Sequence, residues 1–385
     1  MDFTLSPEQL LIKDSVARYA AGDHAGTEKW PQFAELGWLA IGAPDDLGGF
    51  GGPIETLLLM EQFGRGLVTS PYVAQVVLAG QILRAAERTE LLERLVEGTE
   101  RFAVAYEEPH ARYDPSVVKT SAVRDGDAYP STGSGQAHYV LRGTKVRVLD
   151  ASTANTLIVS ASTGDEVSLF AVPSDAAGVT REKYASEDAS DVATVRLDGV
   201  RVDAAHVIGP LGGGLALLDR ALDHATAALC AEGLGLMSLM LEATVEYTKQ
   251  RQQFGVPIGS FQALQHRMAE MFIEVELARS VAYMAAMTLD EKADDPVARR
   301  RGVSAAKVQM AKSGRFVGQN AIQLHGGIGM SEEYKVGHYF KRMTMVERLL
   351  GDAQYHVTRY IASRGPAATP VPARDPVGAS GSRAS

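Results

Sequence analysis

The hydrophobic pattern changes period twice along the chain. Up to about residue 103 the apolar positions recur at helical spacing, as in "IETLLLMEQFGRG" (54–66) and "LLERLVEG" (91–98). Pro7 followed by Glu8 opens the first of these helices, and "LGGFGGP" (47–53) is a turn-rich break between two of them. From about residue 104 the runs shorten and fill with Val, Leu and Thr in partial alternation. "YVLRGTKVRVLD", "NTLIVSAS", "EVSLFAVP" and "DVATVRLDGVRV", separated by Pro, Gly, Asp and Ser, predict a β domain of modest size. Helical spacing returns at Gly212, in longer pieces, with a proline-free run from Leu215 to Arg251. The expected class is α+β, mainly α, without internal repeats. The expected boundaries are 1–103 for an N-terminal helical domain, 104–210 for the β domain, 211–363 for a C-terminal helical bundle, and 364–385 for a Pro/Ala/Ser-rich disordered tail.

Within the last helical region Val303, Met310, Val317 and Leu324 recur every seven residues, which predicts one buried stripe. That stripe runs into "QLHGGIGMSEEY". One glycine suits a left-handed helix cap, because it has no Cβ to clash. Gly326, Gly327 and Gly329 together suggest that something approaches the main chain closely.

Composition narrows the choice. The chain has 385 residues, 45% of them hydrophobic, enough for two or three domains with shared cores. With 38 Lys+Arg against 47 Asp+Glu the formal charge is -9, which argues against a nucleic-acid surface and fits a cytoplasmic protein. The first residues lack the basic-then-apolar pattern of a signal peptide, and no apolar run was expected to reach the roughly 20 residues of a membrane span. The single cysteine, Cys230, excludes an intrachain disulfide and reads as a small buried helix residue. The nine histidines form no metal-spaced pair.

Three stretches resemble the acyl-CoA dehydrogenase family, in order, over about residues 2 to 362. "FAELGWLAIGAPDDLGGFGG" resembles its N-terminal Leu-Gly…Pro-Glu-x-x-Gly-Gly stretch. "YTKQRQQFGVPIGSFQALQHRMAEM" resembles its Arg-x-x-Phe-Gly…Phe-Gln signature, and "QLHGGIGMSEEY" its Gln-x-x-Gly-Gly-x-Gly signature. The resemblance implies that family's fold: N-terminal helices, a middle β-barrel or sandwich, and a C-terminal four-helix bundle. It also implies FAD held between two subunits of a tetramer, an acyl-CoA substrate, and an electron-transferring flavoprotein as acceptor. By the same resemblance Arg251 grips the cofactor pyrophosphate with a planar fork, Gly326 and Gly327 leave room for its backbone-held phosphates, Gln262, Gln323 and Gln354 match glutamines near it, and Phe254 packs beside it. Each has a plainer reading as well: Arg251 on a solvated helix end, Phe254 as core.

The base of the family reaction is where the sequence departs. Removing a proton alpha to a thioester needs a carboxylate against that carbon in a dry site. The usual glutamate precedes a glycine near the C-terminal end, and here that position, before Gly351, is Leu350. The alternative position of some branches, on the long helix, falls on Ala225. Asp352 is the nearest carboxylate, readable either as a helix N-cap or as a displaced base. Asp223, on the long helix, is a weaker candidate for a base or a CoA contact.

The flavin-side loop departs too. "EEPHARYD" keeps Glu108, Pro109 and Asp114 but carries His110, Arg112 and Tyr113 where glycines and serine are usual, and Arg147-Val148-Leu149 replaces Trp-x-Thr. These departures resemble the small-subunit branch, such as the small subunit of pimeloyl-CoA dehydrogenase, which pairs with a large subunit. Four readings follow from the sequence: a dehydrogenase subunit completed by a different chain, a self-sufficient homotetramer using Asp352, a flavin monooxygenase, or a structural subunit.

Overall fold

The computed structural model describes residues 4–22, 29–125, 138–188 and 190–364. Most of the expected tail, 365–385, therefore lies outside the described residues.

The N-terminal third is helical: α1 (Pro7–Ala20), α2 (Trp30–Glu35), α3 (Pro53–Gly66), a seven-residue π-helix (Val73–Ala79) running into α4 (Gly80–Ala85), and α5 (Thr89–Val96). Ser6 and Gln9 cap α1 reciprocally, each side chain taking the other's backbone N–H. Phe33, Trp38, Phe63 and Tyr72 pack edge-on and tilted at 5.3–6.3 Å around the buried end of α3.

The middle of the chain forms one mixed sheet of eight strands: β1 (Phe102–Ala105), β2 (Ser121–Asp125), β3 (His138–Leu149), β4 (Thr156–Thr163), β5 (Glu166–Pro173), β6 (Val179–Ala185), β7 (Asp191–Asp203) and β8 (Val207–Ile208). Their order is β6-β7-β3-β2-β4-β5-β8, with β1 lying parallel on β4. Side chains alternate across a strand, and both faces of β1 and β4 are covered. Phe102, Val104 and Ile158 enter the core shared with the helices, while Ala103, Ala105, Leu157 and Val159 enter the core of the sheet itself. That double burial explains the unbroken apolar run in "NTLIVSAS". The β3–β7 ladder is irregular between Lys145 and Val148. Arg147, with φ 51°, sits in that irregularity, which turns its side chain away from the regular pleat.

The C-terminal part is α6 (Gly214–Gln250), a small hairpin of β9 (Gln252–Gln253) and β10 (Val256–Pro257), α7 (Gln262–Glu291), α8 (Pro296–His325), α9 (Lys335–Arg348) and α10 (Ala353–Ala362). The stripe of Val303, Met310, Val317 and Leu324 is buried on α8 as the heptad spacing predicts. Helix α3 meets α6 backbone to backbone: a Cβ on Gly64 would stand 2.1 Å from the Glu232 carbonyl oxygen, and one on Gly235 would stand 2.0 Å from that of Glu61. One expectation needs correcting here. Helix α6 is long and apolar enough to cross a membrane by length and composition, with a mean hydropathy of 1.4 over its best window. Yet 72% of that window is buried inside the protein, because α6 is the central helix against which α3, α7, α8 and α9 pack.

Candidate functional site

A cavity of about 350 Å³ opens where the sheet, the π-helix and the end of α9 meet. Ala74, Leu78, Val104, Leu149, Met345, Leu349 and Leu350 make its wall largely apolar, and Tyr106, Glu107, Tyr113, Arg147 and Arg348 supply its polar groups. Leu350 thus faces a ligand-sized space. It is 6% exposed and holds φ 57°, a left-handed conformation that is uncommon for leucine. The turn is fixed from behind. The buried Lys307 Nζ donates to the carbonyls of Val346 (2.5 Å) and Leu349 (2.7 Å), and His356 Nε2 lies 3.1 Å from the Leu350 carbonyl. Burial pushes the Lys307 ammonium down to about 8 and the His356 imidazole down to about 3.

The opposite wall is an ion-paired network. Arg147 Nε donates to Glu107 at 2.7 Å, its second nitrogen Nη2 bonds the same carboxylate oxygen, and the guanidinium lies 5.3 Å over the Tyr113 ring. The Tyr106 hydroxyl donates to the other Glu107 oxygen at 3.0 Å. Burial raises the Glu107 carboxyl above the usual carboxylate range, and Arg147 works against it. Next to it Glu108 anchors the loop. It accepts from the amides of Lys119 (2.8 Å) and Thr120 (3.0 Å) and from the buried Lys145 Nζ at 2.7 Å. Burial pushes the Lys145 ammonium down to about 8, although Glu108 opposes that shift.

Neither candidate acid is among the residues lining this cavity, although burial and, after it, the Asp352 charge push up the Tyr113 hydroxyl at its wall. Asp352 is the N-cap of α10, its carboxylate accepting from the Tyr355 amide at 2.9 Å, and it does not line the cavity. Asp223 is 0% exposed. Arg359 donates to it at 2.6 Å and Arg299 lies 3.4 Å away, so this carboxylate ties α6 to α8 and α10 and faces no surface. Ala225 is buried within α6. Cys230 is buried as expected, and burial pushes its thiol up to about 11, far from a thiolate nucleophile.

The second assembly lies at the other end of the bundle. The Tyr247 ring stacks on His325, which joins the end of α6 to the end of α8 and brings Arg251 beside the glycine turn. The Ile258 amide donates to the Arg251 carbonyl at 2.8 Å, Phe254 meets Phe261 edge-on, and Arg267 donates to Asn320 at 2.7 Å. Arg251, Phe254, Gln262, Gln323, Gly326 and Gly327 therefore share one end of the molecule, all exposed. Phe254 is 92% exposed and Met330 76%, too much apolar surface for a finished face. A Cβ built on Gly326 or Gly327 meets nothing within 4 Å, and Gly326 has φ 63°. Gly329 is different: its missing Cβ would press on His325 and Ile322, so it serves packing. These residues fit a phosphate-bearing cofactor laid along the surface: open glycine backbone, a planar cation and two exposed amides.

Gln354 does not join them. It lies at the start of α10, which packs on α8 near Ser304 through His356. From Ser304 to His325 is about 30 Å along α8 at 1.5 Å per residue. The turn with Leu350, held by Lys307 in the first half of α8, and the exposed cluster with Arg251 at that helix's C-terminal end are thus well separated. Sequence reasoning passed over Glu107, Tyr106 and Arg348 as site residues. Arg147 and Tyr113 were visible only as departures from a pattern, and the left-handed φ of Arg147, Asp150 and Leu350 has no reliable sequence signal.

Comparison with known proteins agrees with this geometry. Residues 7–99 match the acyl-CoA dehydrogenase N-terminal domain and residues 212–364 the acyl-CoA dehydrogenase C-terminal domain. The chain is 30% identical to the probable acyl-CoA dehydrogenase YngJ of Bacillus subtilis, covering 94% of this chain and 99% of that one. Among solved structures, the ChsE4-ChsE5 complex from Mycobacterium tuberculosis superimposes with a TM-score of 0.80 at 27% identity, covering 96% of this chain and 100% of that one. PigA with FAD and proline superimposes with a TM-score of 0.84 at 25% identity, covering 95% and 100%. With both terminal domains matched and its nearly full-length likeness to YngJ, the chain belongs to the acyl-CoA dehydrogenase family.

Proposed function

We propose that this chain is the base-free member of a pair: a subunit of an FAD-dependent acyl-CoA dehydrogenase that lends its surface cradle to a cofactor whose chemistry is completed by a neighbouring, base-bearing chain. The observation that carries this reading is the split along α8. Leu350 takes the place on the cavity wall where a carboxylate is needed, and the exposed cradle of Arg251, Gln262, Gln323, Gly326 and Gly327 lies about 30 Å away along that helix. One chain does not bring the two together, so each end calls for a second chain. A relative solved as a ChsE4-ChsE5 complex supports a mixed assembly, and a relative solved with FAD supports that cofactor.

In this reading Arg251 holds the pyrophosphate bidentately, and the open backbone at Gly326 and Gly327 lets it lie against the main chain. Arg251, Gln262, Gln323, Gly326 and Gly327 would hold FAD, which would supply a two-electron acceptor for the hydride from the beta carbon of the acyl group, with an electron-transferring flavoprotein as the proposed onward acceptor. The chain's own part is to bind and to exclude water. The exposed Phe254, Ile328 and Met330 would be covered by the neighbouring subunit, and the apolar wall around Leu349 and Leu350 would shield the acyl chain.

The test is a visible spectrum and a count of FAD per chain, taken on the chain alone and on the chain co-expressed with a homologue carrying the usual glutamate, followed by anaerobic addition of acyl-CoAs. Flavin that is absent or inert alone and bleached in the mixed assembly supports the proposal. One FAD per chain with full bleaching by the chain alone overturns it, and points instead to a self-sufficient homotetramer.

A further inference from the structure

Helices α8 and α10 leave a shallow groove of about 280 Å³ between them at the surface. Ala305 and Val308 of α8 and Val357, Tyr360 and Ile361 of α10 form its wall, which runs along α8 from Ser304 to Gln309. None of these side chains is charged, and Ile361 is 59% exposed. The chain leaves the described residues beside this groove. The Ser363 carbonyl accepts from Arg301 at 3.0 Å, about one turn of α8 before Ser304. The Arg364 amide donates to the Ile361 carbonyl at 3.0 Å, and its guanidinium stands 5.2 Å over the Tyr360 ring. The last described residue is thus folded onto the groove wall. Residues 365–385 follow. They open on the turn-forming pair Gly365 and Pro366, carry "TPVP" at 369–372, and hold no charge before Arg374.

We propose that this groove is the docking site of the chain's own C-terminal segment, with residues 367–372 seated along it in extended form. The lengths agree. From Arg301 to Gln309 is about 12 Å along α8 at 1.5 Å per residue. Polyproline backbone rises about 3.1 Å per residue, so about four residues span that length once the chain turns back at Gly365. The chemistry agrees as well. An uncharged segment meets an uncharged wall, and proline-rich backbone docks on aromatic, apolar grooves because it loses little entropy on ordering. Tyr360 supplies the aromatic face. Tethering favours this occupant over a separate chain, since a short linker holds the segment at an effective concentration in the millimolar range. A groove this small does not supply the roughly 1,000 Å² that a stable interface between chains needs. The docked segment would clamp α10 to α8. Because His356 of α10 lies 3.1 Å from the Leu350 carbonyl, the clamp would stiffen the turn in the cavity wall.

The experiment is disulfide trapping in the full chain with two pairs of substitutions. Val308→Cys with Val371→Cys joins groove and segment. Thr358→Cys with Val371→Cys is the reference, Thr358 being exposed on α10 outside the groove. Cys230 is buried and does not compete. Under mild oxidation the groove pair is expected to close within one chain at least about tenfold faster than the reference pair, the advantage of a seated over a free tether. Mass spectrometry of non-reduced peptides reads the links. Ala305→Cys in place of Val308→Cys should behave alike, which guards against a fold lost at one position. Pro370→Asp together with Pro372→Asp should abolish the advantage without touching the described core. Equal rates for the groove and reference pairs overturn the proposal. So does an advantage that survives the two aspartates. Links formed mainly between chains also overturn it, and seat a neighbouring chain in the groove instead.

Discussion

The ring of His325 stacks on that of Tyr247 with centroids 4.5 Å apart and planes 28° from parallel. This contact sets where Arg251, one turn beyond Tyr247, stands relative to Gly326. Arg251 itself is exposed and, among the described residues, forms no ion pair, so Arg251→Ala should leave the unfolding midpoint within about 1 °C, as expected of a surface substitution away from any buried network. In the mixed assembly it should weaken FAD retention by about 1.5–3 kcal/mol, the worth of a charge-assisted hydrogen bond, and Arg251→Lys should not restore it because the planar fork is lost. Dilution followed by fluorescence of released flavin measures this. Retention equal to wild type would remove Arg251 from the cradle.

Asp352 allows its two readings to be separated with a pair of substitutions. Asn caps helices about as well as Asp, so Asp352→Asn should keep stability within about 0.5 kcal/mol, while Asp352→Ala should cost about 0.5–2 kcal/mol. If the carboxylate only caps α10, flavin reduction by acyl-CoA is unchanged in Asp352→Asn. A drop of roughly 10²–10⁴-fold in that variant, with FAD still bound, would make Asp352 the base.

Leu350 faces the cavity from a fixed turn, which makes it the place to install a carboxylate. Leu350→Glu, combined with a partner chain whose own base is changed to glutamine, should raise the rate of flavin bleaching by at least about 10²-fold over the same assembly with Leu350. The cost is a carboxylate at a largely apolar wall, about 1–3 kcal/mol of stability, eased by Arg147 and Arg348 across the space. No gain in stopped-flow traces would mean that the thioester does not reach this wall.

His356 predicts a pH dependence. Its folded pKa is depressed by burial to about 3, against 6.5 when unfolded, so the unfolded chain binds the extra proton first. Stability from the neutral imidazole is present in full above about pH 6.5 and drains as pH falls toward about 3. The slope is at most about 1.4 kcal/mol per pH unit for one proton. Protonation would also reverse the contact at 3.3 Å, the neutral Nδ1 accepting from the Ser304 hydroxyl and the protonated one donating to it. Denaturant titrations at pH 4 to 7 should show His356→Gln less stable at pH 7 and flatter toward acid by about one proton. Parallel curves would refute the buried neutral histidine.

Much of this architecture was legible because it depends on periodicity. The heptad stripe of α8 and the short apolar run of β4 follow from which side chains must leave water, and burial follows them closely. The exposed cluster was legible in part: three close glycines suggested bare backbone near residue 326, whereas Arg251 was singled out only by the resemblance of its motif. The cavity was not. Glu107 and Arg147 lie 40 residues apart in sequence and meet only because a ladder irregularity in β3 turns Arg147 toward Glu107. Asp223 looked available on an amphipathic helix, yet Arg359 and Arg299 come from two other helices to neutralise it, and pairing across the chain leaves no local trace. The apolar length of α6 was overlooked, and it would not have settled the helix's place, since a central bundle helix and a membrane span differ in what surrounds them more than in composition.

Helix α8 also bears on how such a chain changes over time. Its first half anchors the Leu350 turn through Lys307 and its C-terminal end carries the exposed cluster around Gly326, with buried core residues between them. On the proposed reading, leucine in place of a base at position 350 would disturb neither the packing of α8 nor the distant cluster around Arg251, so the loss would stay confined to half the chemistry. In an assembly where a sister chain still performed that half, such a loss would be invisible to selection, and the vacated wall would be free to specialise for a different ligand.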